Sequence, residues 1–287
     1  MVEAPNCRKV HGHSAGTVQE RVDTLHAFLR DTSIKGIIAF WGGFQTHQLL
    51  EYLDYDLIRK NPKPIIGYSD MTALQLGVFA KTGLVTFSGP CGITFGKPKT
   101  FEYSWKHFEK TLINPEVPFK LEHSNEYSDN EWWLRADKKV LIKKTSGWKT
   151  YQGGSAEGKL IGGNLGTMLL LHGTEYWHDF KNAILFVEED EEEKPQTIDR
   201  LFTKMRQIGV FDQINGLVVG RFHSKVGFTS KDSFEMILKD ALKGYDFPVL
   251  YNVDFGHTDP LVTLPIGIRC KIDAGKKEII YLEAGVQ

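Results

Sequence analysis

Apolar positions recur at helical spacing through "TVQERVDTLHAFLRD", where Val18, Val22, Leu25 and Leu29 fall on one stripe and Thr17 with Glu20 forms a capping box. The pattern predicts a surface helix with one buried face. It then changes period: "KGIIAFWGG" is short, β-branched and almost wholly apolar, as expected of a strand covered on both faces, and ends at Gly42-Gly43. A second helix is expected from about Thr46, with Leu49, Leu50 and Leu53 inward, then a strand around Pro64 to Gly67 and a helix from about Met71 to Lys81. Helix and strand thus alternate at the period of a parallel sheet, which predicts an α/β fold with ligands at the carboxyl ends of its strands. Gly42-Gly43 and Ser69 both lie at such ends.

Residues 97 to 155 are charged, with scattered aromatics, and predict an inter-domain segment with its own hairpins. A second unit is expected from near Gly158: "KLIGGNLGTMLLLHG" reads as strand, glycine turn and helix, and "NAILFVEED" as a buried strand ending in acid. "TIDRLFTKMRQIG" and "SKDSFEMILKDALKG" read as helices flanking the strand "INGLVVGRF", and the tail reads as two strands joined at Asp273-Ala274-Gly275. The expected division is 1–98, 99–154 and 155–287.

Composition narrows the class. A chain of 287 residues, 41% hydrophobic and 12% aromatic, can bury two cores and matches a folded soluble enzyme. Lys and Arg (35) almost cancel Asp and Glu (36), so no charge footprint for a nucleic-acid polymer or an anionic membrane exists. Cys7, Cys91 and Cys270 are odd in number and far apart, which fits a reducing compartment; with no apolar signal core and no spanning stretch, the expected location is the cytoplasm.

The candidate chemistry centres on Ser69 in "PIIGYSDMTALQLG". A serine before a helix is most often its N-cap. Alternatively, a strand, a tight turn and a helix expose the hydroxyl as a nucleophile, although Met71 stands where the α/β-hydrolase elbow has glycine. A nucleophilic serine needs a base and an orienting carboxylate. His257 in "VDFGHTDP" follows a strand, and Glu188 is the first acid after "AILFV", with Glu189 the neighbouring choice. An oxyanion hole could come from the Asp70 amide and the Gly42-Gly43 turn, where absent side chains allow close approach. Gly162-Gly163-Asn164 reads as a turn or a substrate-facing loop. Histidines and acids are present, but no HExxH or paired Cys/His spacing, so no metal site is expected.

Taken together, "AGTVQERVDTLHAFLRD", "WGGFQTHQLLEYLDYDLIRKNPKPIIGYSDMTAL", "GLVTFSGP", "GKLIGGNLGTMLLLHGT", "AILFVEED…TIDR" and "GHTDPLVTLPIG" resemble the LD-carboxypeptidase family of serine peptidases, which includes muramoyl-tetrapeptide carboxypeptidases and microcin C self-immunity peptidases. The resemblance implies Ser69 as nucleophile, His257 as base and Glu188 as its carboxylate, with an oxyanion hole from Asp70, Gly42 and Gly43. It implies an N-terminal open, flavodoxin-like parallel sheet, a C-terminal domain carrying Glu and His, a homodimer and no cofactor. Relative to the family, the chain opens near the second strand, so the expected N-terminal sheet lacks its first β-α unit. Trp132, Trp133 and Trp148 resemble the aromatic loop with which the microcin-immunity branch stacks a nucleotide base. That places Asn164 and these tryptophans at a small peptide or peptidyl-nucleotide substrate. A murein tetrapeptide is the alternative substrate, and a non-catalytic ligand-binding protein the alternative function.

Overall fold

The computed structural model describes residues 1–97, 101–134, 136–137 and 139–286, without the side chain of Trp133. Helix α1 (Val18–Arg30) carries the predicted capping box in both directions and buries Val22, Leu25 and Leu29. Strand β1 (Ile37–Ile38) is only half-buried and pairs with β2 (Ile65–Gly67) alone, which corrects the expectation of a strand covered on both faces. Its apolar composition is not matched by position, because it lies at a sheet edge. The helix expected from Thr46 is a 3-10 turn over Thr46–Tyr52, followed by α2 (Tyr55–Lys60), which Asp54 caps.

After β2 the chain enters α3 (Met71–Thr82), buried continuously from Thr72 to Phe79. A helix apolar all round must be enclosed, and α3 is wedged between both main sheets, touching β2 and, from elements given below, β3, β8 and β12. Full burial of side chains such as Leu74 and Phe79 contributes about 1.5–3 kcal/mol each over leaving them in water. Strand β3 (Thr86–Ser88) and the short α4 (Gly92–Phe95) complete this part.

The segment expected between domains forms α5 (Glu102–Phe108), β4 (Phe119–Lys120), a two-stranded ribbon of β5 (Glu126–Tyr127) and β6 (Lys143–Lys144), and β7 (Lys149–Gln152). The second half continues with β8 (Ser155–Asn164), α6 (Leu165–Leu169), β9 (Ile184–Glu188), α7 (Pro195–Gln207), β10 (Gly216–Gly220), α8 (Phe234–Ala241) and β11 (Val249–Val253). It ends with β12 (Leu264–Ile266), β13 (Arg269–Asp273) and β14 (Glu278–Tyr281). The sheets run β1-β2-β3-β12 and β4-β14-β13-β8-β9-β10-β11-β7. Strands β8, β9, β10 and β11 are mutually parallel, with a register shift between Val218 and Gly220 against β11, and the outer pairs are antiparallel. Thus β4 and β7 form the edges of the larger sheet, and β12 crosses to the smaller sheet and pairs antiparallel with β3.

Candidate active site

The carboxyl ends of β2 and β9 converge with the loop after β11. Ser69 follows β2 with φ +63, a left-handed conformation rare for a residue with a side chain. The helix cap is Asp70, not Ser69, so the capping role open to Ser69 from its position is taken by its neighbour's backbone. The Asp70 carboxylate accepts from the Thr46 amide at 2.8 Å and from the Thr46 hydroxyl. That clasp draws the loop after β1 over the serine. A Cβ placed on Gly42 would lie 3.0 Å from Ser69 Oγ, so a side chain there would press the serine out of place by a few tenths of an ångström.

On the other side, Glu188 ends β9 and is buried, and its Oε2 is 2.7 Å from His257 Nδ1. The glutamate that meets the histidine is Glu188, not Glu189. Gly256, at φ +103, makes room for the pair: a Cβ there would come within 3.1 Å of Glu188 Oε2. Burial alone would lower the His257 pKa, but the Glu188 carboxylate and its hydrogen bond, with Glu191 and Asp190 further off, raise it to about 9. The Tyr68 ring packs edge-on against His257, centroids 5.1 Å apart, which sets the histidine beside the residue preceding Ser69.

Glu189 faces inward as well. Its carboxylate accepts from the Gly166 amide and, at 3.1 Å, from Asn164 Nδ2. Burial and the adjacent Glu188 charge push its pKa up to about 8. Asn164 ends β8 opposite Glu188, its side-chain oxygen caps α6 through the Thr167 amide, and its own amide donates to Thr72 Oγ1 at 2.9 Å. Its side-chain oxygen and nitrogen each make one bond inside the protein, which matches the turn reading of Gly162-Gly163-Asn164, while the second Nδ2 hydrogen is used by neither.

The tryptophans divide similarly. Trp148 is 1% exposed and its indole N–H donates to Asp254 at 2.8 Å, so it offers no stacking face; Trp132 is buried too. The side chain of Trp133 lies outside the described residues. The aromatics left exposed near the serine are instead Phe40, Trp41 and Phe44, flanking Gly42-Gly43.

Next to His257 opens a cleft lined on one side by Ser128 to Glu131 and on the other by Glu191, with Tyr68, Lys97 and Asp259 among its remaining walls. Lys97, half-buried with its side chain largely covered, is ion-paired with Asp259. The 128–131 stretch is held by reciprocal backbone bonds between Ser128 and Asp259 at 2.9 and 2.8 Å. Behind it, Asp254 is a fully buried hub that receives Trp148, the Ser124 amide and Arg221. Sequence position gives no sign of Asp254 or Lys97 at the site; Tyr68 and Gly256 could have been suspected from their places beside Ser69 and His257.

A serine on a strained strand-to-helix turn, an acid–histidine pair and a glycine close against the serine are the plan of a serine peptidase built on an α/β frame. Comparison with known proteins agrees: models of the LD-carboxypeptidase N-terminal and C-terminal domains match residues 1–89 and 157–272. The chain belongs to the LD-carboxypeptidase family of serine peptidases. It is 34% identical over 96% of its length, and 81% of the other, to the Escherichia coli microcin C7 self-immunity protein MccF. Against the Bacillus subtilis protein named "Probable murein peptide carboxypeptidase" it is 31% identical over 96% of this chain and 80% of that one. The solved structure of MccF with aspartyl sulfamoyl adenosine superimposes with TM-score 0.91 at 33% identity, covering 100% of this chain and 87% of that one. The complex of MccF with glutamyl sulfamoyl guanosine also scores 0.91, at 33% identity over 99% and 86%. Among the described residues no helix is long and apolar enough to cross a membrane.

Proposed function

We propose that the protein hydrolyses an amide in a small peptidyl- or aminoacyl-nucleotide, with Ser69 as nucleophile, His257 as base and Glu188 as its orienting carboxylate. The 2.7 Å bond between His257 and Glu188, set beside the turn that presents Ser69, carries this reading. Because Nδ1 is engaged by Glu188, Nε2 is the nitrogen left to take the serine proton. Ser69 Oγ attacks the carbonyl carbon, and the proton passes to His257. The first amides of a helix lack partners within it, so the Asp70 N–H, with an amide of the Gly42-Gly43 turn, is suited to bind the oxyanion. Collapse expels the amine, which takes the proton from His257. Water then adds to the acyl-enzyme through the same base and releases the acid and the serine.

The nucleotide is supported by the sulfamoyl nucleotides bound in the MccF structures. Lys97, the half-buried lysine of the cleft, favours a second reading, a murein peptide whose free carboxylate would share it with Asp259. The division at 98 and 154, a homodimer and a cytoplasmic location complete the proposal; the three free cysteines suit a reducing compartment.

The test incubates purified protein with an aminoacyl sulfamoyl adenosine and, separately, a murein tetrapeptide, following both by mass spectrometry with Ser69→Ala as control. Cleavage of the nucleotide that Ser69→Ala abolishes is expected. Cleavage of the tetrapeptide alone would select the second reading. Binding without cleavage would indicate a non-catalytic ligand-binding protein.

A further inference from the structure

The cleft beside His257 has an unusual balance of charge. Four carboxylates line it, from Asp129, Glu131, Glu191 and Asp259, against two cationic groups, Lys97 and His257, whose pKa is raised to about 9. Three of the four are spoken for: Asp129 Oδ1 by Lys143 at 2.7 Å, Glu131 by Lys225 and Asp259 by Lys97. Among the described residues Glu191 has no ion-pair partner, and its charge is felt by Tyr68, His257 and Lys225.

Two further atoms in the same walls lack partners and are not acidic-surface features. Asp129 is 8% exposed; its carboxylate is influenced by Lys143, the Ser224 hydroxyl and His223, and its second oxygen, Oδ2, has no partner at normal hydrogen-bond distance. His223 is 5% exposed; its Nδ1 accepts the Lys225 amide at 3.0 Å, so the neutral ring carries its proton on Nε2, and that atom has no acceptor. A buried acceptor and a buried donor left unmade each cost about 1–3 kcal/mol, and both belong to the lining of one cleft. Such a wall is completed by a ligand that brings a cation to the carboxylates and an oxygen to the imidazole N–H.

We infer that Glu191 and Asp129 Oδ2 form a subsite for an ammonium group of the substrate, with His223 Nε2–H donating to an oxygen of the same unit. This rests on the hydrolytic reading above and adds to it a substrate class: amides whose amino-acid portion carries a positive charge. An added carboxylate would share the cleft with Glu191, and like charges repel. Where the ammonium is that of a side chain, the preference is opposite to the acidic side chains of the aspartyl and glutamyl ligands named for the MccF complexes. The ammonium can come from a basic side chain or from a free α-amine, and both present the same chemistry to the cleft.

Binding to Ser69→Ala protein separates these, measured by calorimetry with lysyl, norleucyl and glutamyl sulfamoyl adenosine and with the Nα-acetyl form of each. Removing the recognised ammonium should weaken binding about tenfold or more: lysyl to norleucyl if the side chain is read, Nα-acetylation if the amine is read. Glutamyl should bind worst. Glu191→Gln should abolish the difference, and Glu191→Lys should invert it toward glutamyl. Equal affinities across the series, a glutamyl preference in the parent, or no binding by any member would overturn the subsite. Turnover of the same compounds by the unmodified protein is scored separately. Turnover without charge preference leaves the hydrolase and removes the subsite, whereas charge-selective binding without turnover does the reverse.

Discussion

Ser69 keeps a backbone conformation, φ +63, that glycine adopts freely and serine does not. Holding a side chain there costs about 1–3 kcal/mol, which the surrounding structure must offset. Ser69→Gly should therefore unfold at higher urea than Ser69→Ala, by about 1 kcal/mol, while both lack turnover; equal stability would mean that the turn is unstrained. His257 gives a second expectation. With its pKa raised to about 9, the imidazole is mostly protonated at neutral pH and becomes a base as pH rises. The kcat/KM profile should climb toward an alkaline limb near that value, and Glu188→Gln, lacking the carboxylate charge, should move the limb to lower pH while cutting the rate about 10²–10⁴-fold. A limb that stays in place in Glu188→Gln would detach Glu188 from the titration. The same shift acts on stability. A histidine whose folded pKa is raised contributes stability that is fully present below its unfolded value near 6.5 and is lost as pH rises through about 9.

At the scale of elements, the end of β9 places two successive buried acids with different duties: Glu188 turns to His257, and Glu189 to the start of α6. Glu189, raised to about 8, retains a proton in the folded protein that the unfolded chain releases near its ordinary value, so it too lowers stability as pH climbs through that interval. Glu189→Gln should flatten the dependence of the denaturation midpoint on pH between about 5 and 8; an unchanged slope would assign it elsewhere. Local order made part of this visible from the chain. The stripe and capping box of α1, and the acid at the end of "AILFV", are set by neighbours within a few residues. The edge position of β1 and the core role of Trp148 are not, because they depend on which strands pair and on Asp254, 106 residues away from Trp148. An indole in a charged segment looks the same whether it faces a ligand or a buried carboxylate. Asp254 is also the point where that segment is most exposed to mutation. Asp254→Ala would leave the Arg221 guanidinium buried without its partner, at a cost of about 3–5 kcal/mol. Hydrogen exchange should then quicken across residues 122–148 before it does elsewhere.

Over the whole molecule, the serine belongs to one sheet and the acid–histidine pair to the other, so the site exists only while the two are held in register. Two devices hold them. Strand β12 lies in the smaller sheet, and β13, which begins at Arg269, lies in the larger one, so the chain changes sheets within a few residues. Helix α3, which starts just after Ser69, presses Thr72 against the end of β8, where the hydroxyl accepts the Asn164 amide at 2.9 Å. Asn164 in turn lies opposite Glu188 and bonds Glu189. A continuous path thus runs from the nucleophile's helix to the acid without passing through the open cleft. Thr72→Val keeps the shape of the side chain but leaves a buried amide without an acceptor, which should cost about 1–3 kcal/mol. If this path sets the separation of the two halves, kcat should fall along with stability while KM changes little, because no group that meets substrate has been altered. Urea titration and steady-state kinetics on the one variant decide it: lost stability with unchanged kcat would leave β12 as the element that keeps serine and histidine in register.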